Sequence, residues 1–233
     1  PGGSAVTADT ALAIAHLAGN SLDGLHQANL LDVDVVECDV HAHRGRLEVR
    51  HLKTAGPLPF LWDRWELASA RAPRLGLEEL LAADRRGAVF MLDLKGRRES
   101  TGRAVADLVH EHAPGHRVIV CGRHWPAVER VGAALPYADP VLSARTRGEL
   151  AALVRRVADE SRPAPYGTSI HVSLLDRALV TTLRRRVSVV MTWPVNDADR
   201  LEAVLALGAN GVISDETDVL REVVNRRPCP PAS

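Results

Sequence analysis

Glu37 and Asp39 stand two residues apart in the run Val35-Val36-Glu37-Cys38-Asp39-Val40. On a β-strand such a pair shares one face, about 6.5 Å apart at the usual rise per residue. The flanking valines mark the strand as buried, and two buried carboxylates repel each other and lose their hydration. A hard divalent cation with oxygen ligands, Mg²⁺ or Ca²⁺, placed between them removes both problems. Ion pairing with arginines of the scaffold is the alternative. Asp93 and Lys95 repeat the spacing in the apolar run Phe90-Met91-Leu92-Asp93-Leu94-Lys95. If the two strands are neighbours, Asp93 completes a three-carboxylate site and Lys95 faces the same ligand one step higher.

Lysine usage singles out the same place. The chain has two lysines, Lys53 and Lys95, against 27 arginines. An ammonium is a compact point charge with a shiftable pKa, whereas a guanidinium is planar and permanently charged. Both lysines are therefore candidate contacts to an anionic substrate. His16 closes one predicted strand and precedes the turn Ala18-Gly19-Asn20; His51 closes another. Taken singly, each reads as a hydrogen-bonded structural residue. Beside a carboxylate site, two such histidines serve as general acid and base near neutral pH. His41 shares the face of Glu37 and Asp39, and His171 closes a later strand where it can line a pocket. The other histidines, His124 among them, read as surface or helix positions. Trp193, in Trp193-Pro194-Val195-Asn196, ends a strand and offers an apolar wall for a ligand.

Eight short apolar runs must carry these groups: 11–16, 33–41, 88–95, 117–121, 140–143, 168–173, 187–193 and 211–214. A further strand, 46–51, folds back as a hairpin through Arg44-Gly45. Amphipathic helical patterns fill 21–31, 77–86, 99–113, 125–134, 147–159, 174–185 and 197–207, with starts signposted at Ser173 and at Asn196-Asp197. Strands alternating with helices predict a parallel sheet, and the count of eight favours a closed TIM (β/α)8 barrel in a single domain. An open doubly wound sheet is the competing architecture. The barrel is expected over 11–225, after an N-terminal segment 1–10 and before a disordered tail 226–233. Segment 52–76, rich in Pro, Gly, Trp and Arg and without clean periodicity, reads as an excursion over one mouth of the barrel. With Trp193, its Phe60, Trp62 and Trp65 are the apolar candidates for a pocket suited to an apolar or lipid-derived group of a small-molecule substrate. Catalytic groups of such barrels sit at the C-terminal ends of the strands, where the residues above fall.

A formal net charge of zero argues against nucleic acid and against a polybasic membrane patch. No apolar run reaches the roughly 18 residues that a transmembrane helix needs. Cys38, Cys121 and Cys229 have no metal-ligand spacing and cannot all pair, which suits a reducing compartment. A cytoplasmic location is the expectation. Secretion stays open, because the chain begins at Pro1 without a Met.

Read in order, Ile14-Ala15-His16, Val36-Glu37-Cys38-Asp39-Val40, the 46–51 strand, Met91-Leu92-Asp93-Leu94-Lys95, Thr192-Trp193-Pro194-Val195-Asn196 and 208–215 resemble the glycerophosphodiester phosphodiesterase family over about 10–220. The resemblance implies a TIM barrel and a divalent cation. It also implies hydrolysis of glycerophosphodiesters to glycerol 3-phosphate and an alcohol. It further implies His16 and His51 as the acid/base pair, Glu37, Asp39 and Asp93 as metal ligands, Lys95 against the phosphate and Trp193 as a pocket wall. Four features depart from the family pattern. Leu17 replaces the Arg that follows the first His and grips the phosphate; Lys53, Arg50 and Arg64 are the candidate substitutes. Asn20-Ser21-Leu22-Asp23 replaces a Pro-Glu-Asn-Thr run, Leu52 replaces the Asp after the second His, and Asp93 replaces a Glu. These departures leave two other readings open. One is a lyase similar to sphingomyelinase D, which releases a cyclic phosphate. The other is a non-catalytic barrel that binds a phosphate or a partner.

Overall fold

The computed structural model describes residues 10–54, 60–63, 66–69, 72 and 74–228. Eight parallel strands form the barrel: β1 (Leu12–Ala15), β2 (Val35–His43), β7 (Val89–Leu94), β8 (Val118–Gly122), β9 (Ala138–Ala144), β10 (Gly167–His171), β11 (Val189–Trp193) and β12 (Gly211–Ser214). They pair in sequence order, and β1 closes the ring by pairing with both β12 and β2. The expected TIM barrel is therefore the observed fold. The long β2 outruns its parallel neighbours, and its upper half pairs with the antiparallel β3 (Arg46–Val49). The turn between them is Arg44-Gly45, both with positive φ.

Helices follow the strands: α1 (Leu22–Leu30), α2 (Leu77–Ala83), α3 (Glu99–His112), α4 (Trp125–Ala134), α5 (Arg147–Ala158), α6 (Arg177–Arg184), α7 (Ala198–Ala206) and α8 (Thr217–Asn225). Their starts follow local chemistry. The Asp197 side chain accepts the Arg200 N–H at 2.7 Å and caps α7. Thr146 and Glu149 exchange side-chain and backbone bonds in a capping box before α5. The expected start at Ser173 moves: a short 3-10 turn occupies Val172–Leu174, and Asp176 caps α6 by accepting from Leu179. The eighth helix, α8, lies beyond the last sequence-predicted one. Its apolar face, Val219, Leu220 and Val223, is buried.

The excursion at 52–76 is, in its described part, a three-stranded antiparallel sheet of β4 (Lys53–Thr54), β5 (Phe60–Asp63) and β6 (Glu66–Ser69). Arg64 and Trp65 lie outside the described residues, as does all but the start of the tail. Arg226 and Arg227 are described, and they pair with Glu202, Glu222, Asp32 and Asp34.

Two apolar layers hold the barrel together. Outward-facing strand residues such as Ala13, Val36, Val40, Leu92, Val120 and Leu142 pack against the helices. Inward-facing ones, including Ile14, Val35, Met91, Ile119, Val141, Val189, Met191 and Ile213, fill the interior. Because side chains alternate along a strand, the next inward positions beyond this plug are fixed two residues on. They include His16, Glu37, Asp93, Ser143 and Asp215, while Cys121 and Trp193 still belong to the apolar interior. The barrel changes from apolar to polar over one rung, at its C-terminal mouth.

Candidate active site

Strand register assembles the acidic cluster. β2 and β7 pair with Glu37 opposite Met91 and Asp39 opposite Asp93. One oxygen from each of Glu37, Asp39 and Asp93 lies within 4.8 Å of the others. Glu37 and Asp39 are buried, 1% and 2% exposed. The neighbouring strand was the condition for Asp93 to join the pair, and it is met. Lys95, two residues beyond, places its Nζ 2.7 Å from Asp39 Oδ1 and in contact with Asp93.

The turn after β1 is moulded to this cluster. Gly19 packs against β2 so closely that a Cβ there would lie 2.8 Å from Cys38 Cβ and 3.2 Å from the Glu37 carbonyl. That approach lets Asn20 Oδ1 accept the Asp39 N–H at 2.8 Å. Leu17, with φ 56°, occupies the left-handed region. This costs a side-chain-bearing residue about 1 kcal/mol or more. The conformation turns its N–H onto Glu37 Oε2 at 2.7 Å.

Each histidine is held by a carboxylate. His16 Nδ1 is 2.6 Å from Asp215 Oδ1, and Asn196 donates to the other Asp215 oxygen at 3.0 Å. His51 Nδ1 is 3.0 Å from Asp39 Oδ2. A carboxylate on Nδ1 fixes that nitrogen as the protonated one and leaves proton exchange to Nε2. Burial lowers the His16 pKa, but the Asp215 hydrogen bond and the charges of Glu37, Asp215 and Asp39 outweigh it, so the net shift is upward.

The carboxylates do not titrate alike. Burial, then Asp39 and Asp93, push Glu37 up to about 8, against smaller opposing effects of His16 and Lys95. Burial also works to raise Asp39, but the His51 hydrogen bond and the Lys95 ammonium hold it at about 2. Burial opposes the Lys95 charge, yet Asp93, Asp39 and Glu37 shift its pKa upward, so it is a permanent cation. One lysine thus faces three carboxylates. Once Glu37 is ionised, three carboxylates outweigh one ammonium, which is the donor set a hard divalent cation takes.

His16, Glu37, Asp39, His51, Lys53, Asp93, Lys95 and Trp193, the catalytic, metal and substrate candidates of the sequence, line one cavity of about 800 Å³. Lys53 stands at its edge, with its ammonium 5.6 Å from the centre of the Trp62 ring. His41 lines the cavity too. Burial, then Arg50, hold it at about 3 and hence neutral. His171 packs edge-on against Trp193 at 5.1 Å. Burial, then Arg145 and Arg200, lower its pKa. His124, half-buried at the start of α4, also lines the cavity. Arg50 is not among the cavity residues: it is buried and donates to Glu48 at 2.7 Å and to the Leu52 carbonyl.

Sequence reasoning gave no role to Ser143, Ser169, Arg123 and Arg145, and it quoted Asn196 and Asp215 within motifs without linking Asp215 to His16. The signal for Asp215 was its position one residue past a strand, as His16 is. β1 and β12 pair with Ala15 opposite Ser214, which puts the two side by side. Arg145 and Arg123 were hidden among 27 arginines.

The barrel and its polar mouth define the class of fold, and comparison with known proteins adds the relatives. No protein-family model matches the chain, and no curated protein matches it. Solved structures do. A phosphodiesterase of Oleispira antarctica, in complex with the product sn-glycerol-3-phosphate, superposes with a TM-score of 0.72 at 18% identity, over 91% of this chain and 96% of that one. A glycerophosphodiester phosphodiesterase of Thermotoga maritima gives 0.70 at 16% identity, over 93% and 98%. One of Parabacteroides distasonis gives 0.70 at 18%, over 94% and 98%. The chain shares its fold with these proteins along nearly their whole length.

Proposed function

We propose that the chain is a divergent member of the glycerophosphodiester phosphodiesterases and cleaves a small phosphodiester to a phosphomonoester and an alcohol. The observation that carries this reading is the cluster at the mouth: three carboxylates within 4.8 Å, flanked by two histidines each braced by a carboxylate. The structural relatives include a phosphodiesterase with a glycerol phosphate product bound, which supports the same chemistry.

Glu37, Asp39 and Asp93 would hold the divalent cation, Mg²⁺ or Ca²⁺. When bound, it supplies Lewis-acid polarisation of the phosphoryl oxygens. Lys95, whose ammonium lies against Asp39 and Asp93, would add a fixed positive charge on the same side for the phosphoryl oxygens. His16 and His51 approach from the β1 side and the β3 side. One Nε2 takes the proton of the attacking hydroxyl, and the other gives a proton to the leaving alkoxide. Such a positioned pair is worth about 10²–10⁴ in rate for each partner. Asp215 holds the His16 ring in orientation, and Asp39 does so for His51 while also serving the cation. Trp193 walls the cavity on the far side. No helix among the described residues is long and apolar enough to cross a membrane.

The test is phosphorus NMR of glycerophosphoglycerol incubated with the protein and Mg²⁺ or Ca²⁺, with and without EDTA. A phosphomonoester that forms only with the cation supports hydrolysis. A cyclic phosphate would assign the nucleophile to a substrate hydroxyl, as in the lyase reading. No product under any condition would remove the enzymatic reading.

A further inference from the structure

The wall of the cavity opposite the carboxylates carries the opposite charge. In the ring of strands β9 stands across from β1, and β11 across from β7. Arg145 follows β9, and Trp193 ends β11; both line the cavity. The Arg145 guanidinium carbon lies 5.9 Å from the centre of the Trp193 ring. Among the described residues no carboxylate pairs with that guanidinium. The acidic residue of this wall, Glu149, accepts from the Arg123 side chain at 2.9 Å and from the backbone N–H groups of Arg145 and Thr146 at 2.8 and 3.0 Å. Glu149 thus fixes the Arg145 backbone and neutralises Arg123, leaving the Arg145 charge exposed over the indole. One rung lower, Ser143 and Ser169 face each other in register and pave the floor with hydroxyls.

An indole face in a binding cavity attracts quaternary ammonium groups by cation–π attraction. Here that face is taken by the protein's own cation. We propose that the Arg145–Trp193 wall is a subsite for an anionic group, a carboxylate or phosphate, borne by the alcohol moiety of the substrate. The preferred diesters then carry a second negative charge, and choline-type diesters are disfavoured. The proposal rests on the phosphodiesterase reading for its substrate class, but its geometry lies on the other side of the cavity from the cation cluster.

Three diesters of glycerol 3-phosphate that differ in head-group charge, those of glycolate, ethylene glycol and choline, separate the cases. Their affinities are measured by calorimetry with the cation present, alongside turnover. The glycolate diester binds at least about tenfold more tightly than the choline diester, the effect of one charge-assisted hydrogen bond. In Arg145→Gln the ratio falls to within about twofold, whereas Arg145→Lys keeps most of it, since the charge survives. A ratio near one in the wild type, a ratio unchanged by Arg145→Gln, or no binding of any of the three overturns the proposal. Head-group preference without turnover would uphold the subsite and sink the hydrolytic reading. Turnover without preference would do the reverse.

Discussion

A buried glutamate that keeps its proton near neutral pH makes cation binding countable. Burial and the adjacent Asp39 push Glu37 up to about 8. A carboxylate must be deprotonated to ligate a metal, so binding expels that proton. With such a pKa the group is about 90% protonated at pH 7, so ~0.9 proton is released per cation at pH 7 and ~0.1 at pH 9. Below the pKa the apparent affinity rises about tenfold per pH unit. Calorimetric titration of Mg²⁺ or Ca²⁺ in buffers of different ionisation enthalpy reads the proton count directly, and Glu37→Gln abolishes it. Stability follows the same linkage. The folded pKa exceeds the ordinary 4.5, so the folded chain without a cation binds the extra proton between about pH 4.5 and 8. It therefore loses stability as pH rises through that window, by up to about 1.4 kcal/mol per pH unit. Asp39, held at about 2, acts in a separate acid window and with the opposite sign: its contribution is lost as pH falls from 3.8 through 2. Cation binding at pH 7 with no proton release, or release undiminished in Glu37→Gln, would rule out Glu37 as a ligand and place the cation elsewhere.

Other residues give independent tests. Asp215→Asn removes the hydrogen bond that raises the His16 pKa. The His16 titration followed by NMR should move down, and kcat should fall about 10–100-fold, as for other losses of an orienting partner. Gly19→Ala forces the turn away from Cys38 and the Glu37 carbonyl. It should cost about 1–3 kcal/mol in chemical denaturation and weaken cation binding through the lost Leu17–Glu37 bond. His41 is held at about 3 against an ordinary 6.5. Its neutral form therefore stabilises the fold above pH 6.5, and that contribution is lost as pH falls towards 3. His41→Gln should lose less stability than the wild type between pH 7 and 4.

The barrel was legible in the sequence because its strands are short, apolar and separated by amphipathic helices, and because alternation has a fixed period. The same period made the Glu37–Asp39 and Asp93–Lys95 pairs legible as facing groups. What joined them was strand order, which a closed eight-membered ring leaves almost no freedom to vary. The partners that depend on loops were hidden. Asp215 meets His16 only through the pairing of the first and last barrel strands, separated by nearly the whole chain. The charge of Arg145 becomes informative only once Glu149 is seen to be occupied by Arg123. The β4–β6 sheet escaped because strands of two to four residues give too few positions for a period, and α8 because it follows the last strand and closes no further crossover.

In the proposed function, His16 and His51 exchange protons with a phosphodiester beside the carboxylate cluster. The direct measurement is cation-dependent turnover of glycerophosphoglycerol by the wild type, His16→Ala and His51→Ala, with folding and cation affinity checked in each. In each variant kcat should fall about 10²–10⁴-fold, while His16→Ala still binds the cation. Full activity in either variant would contradict it.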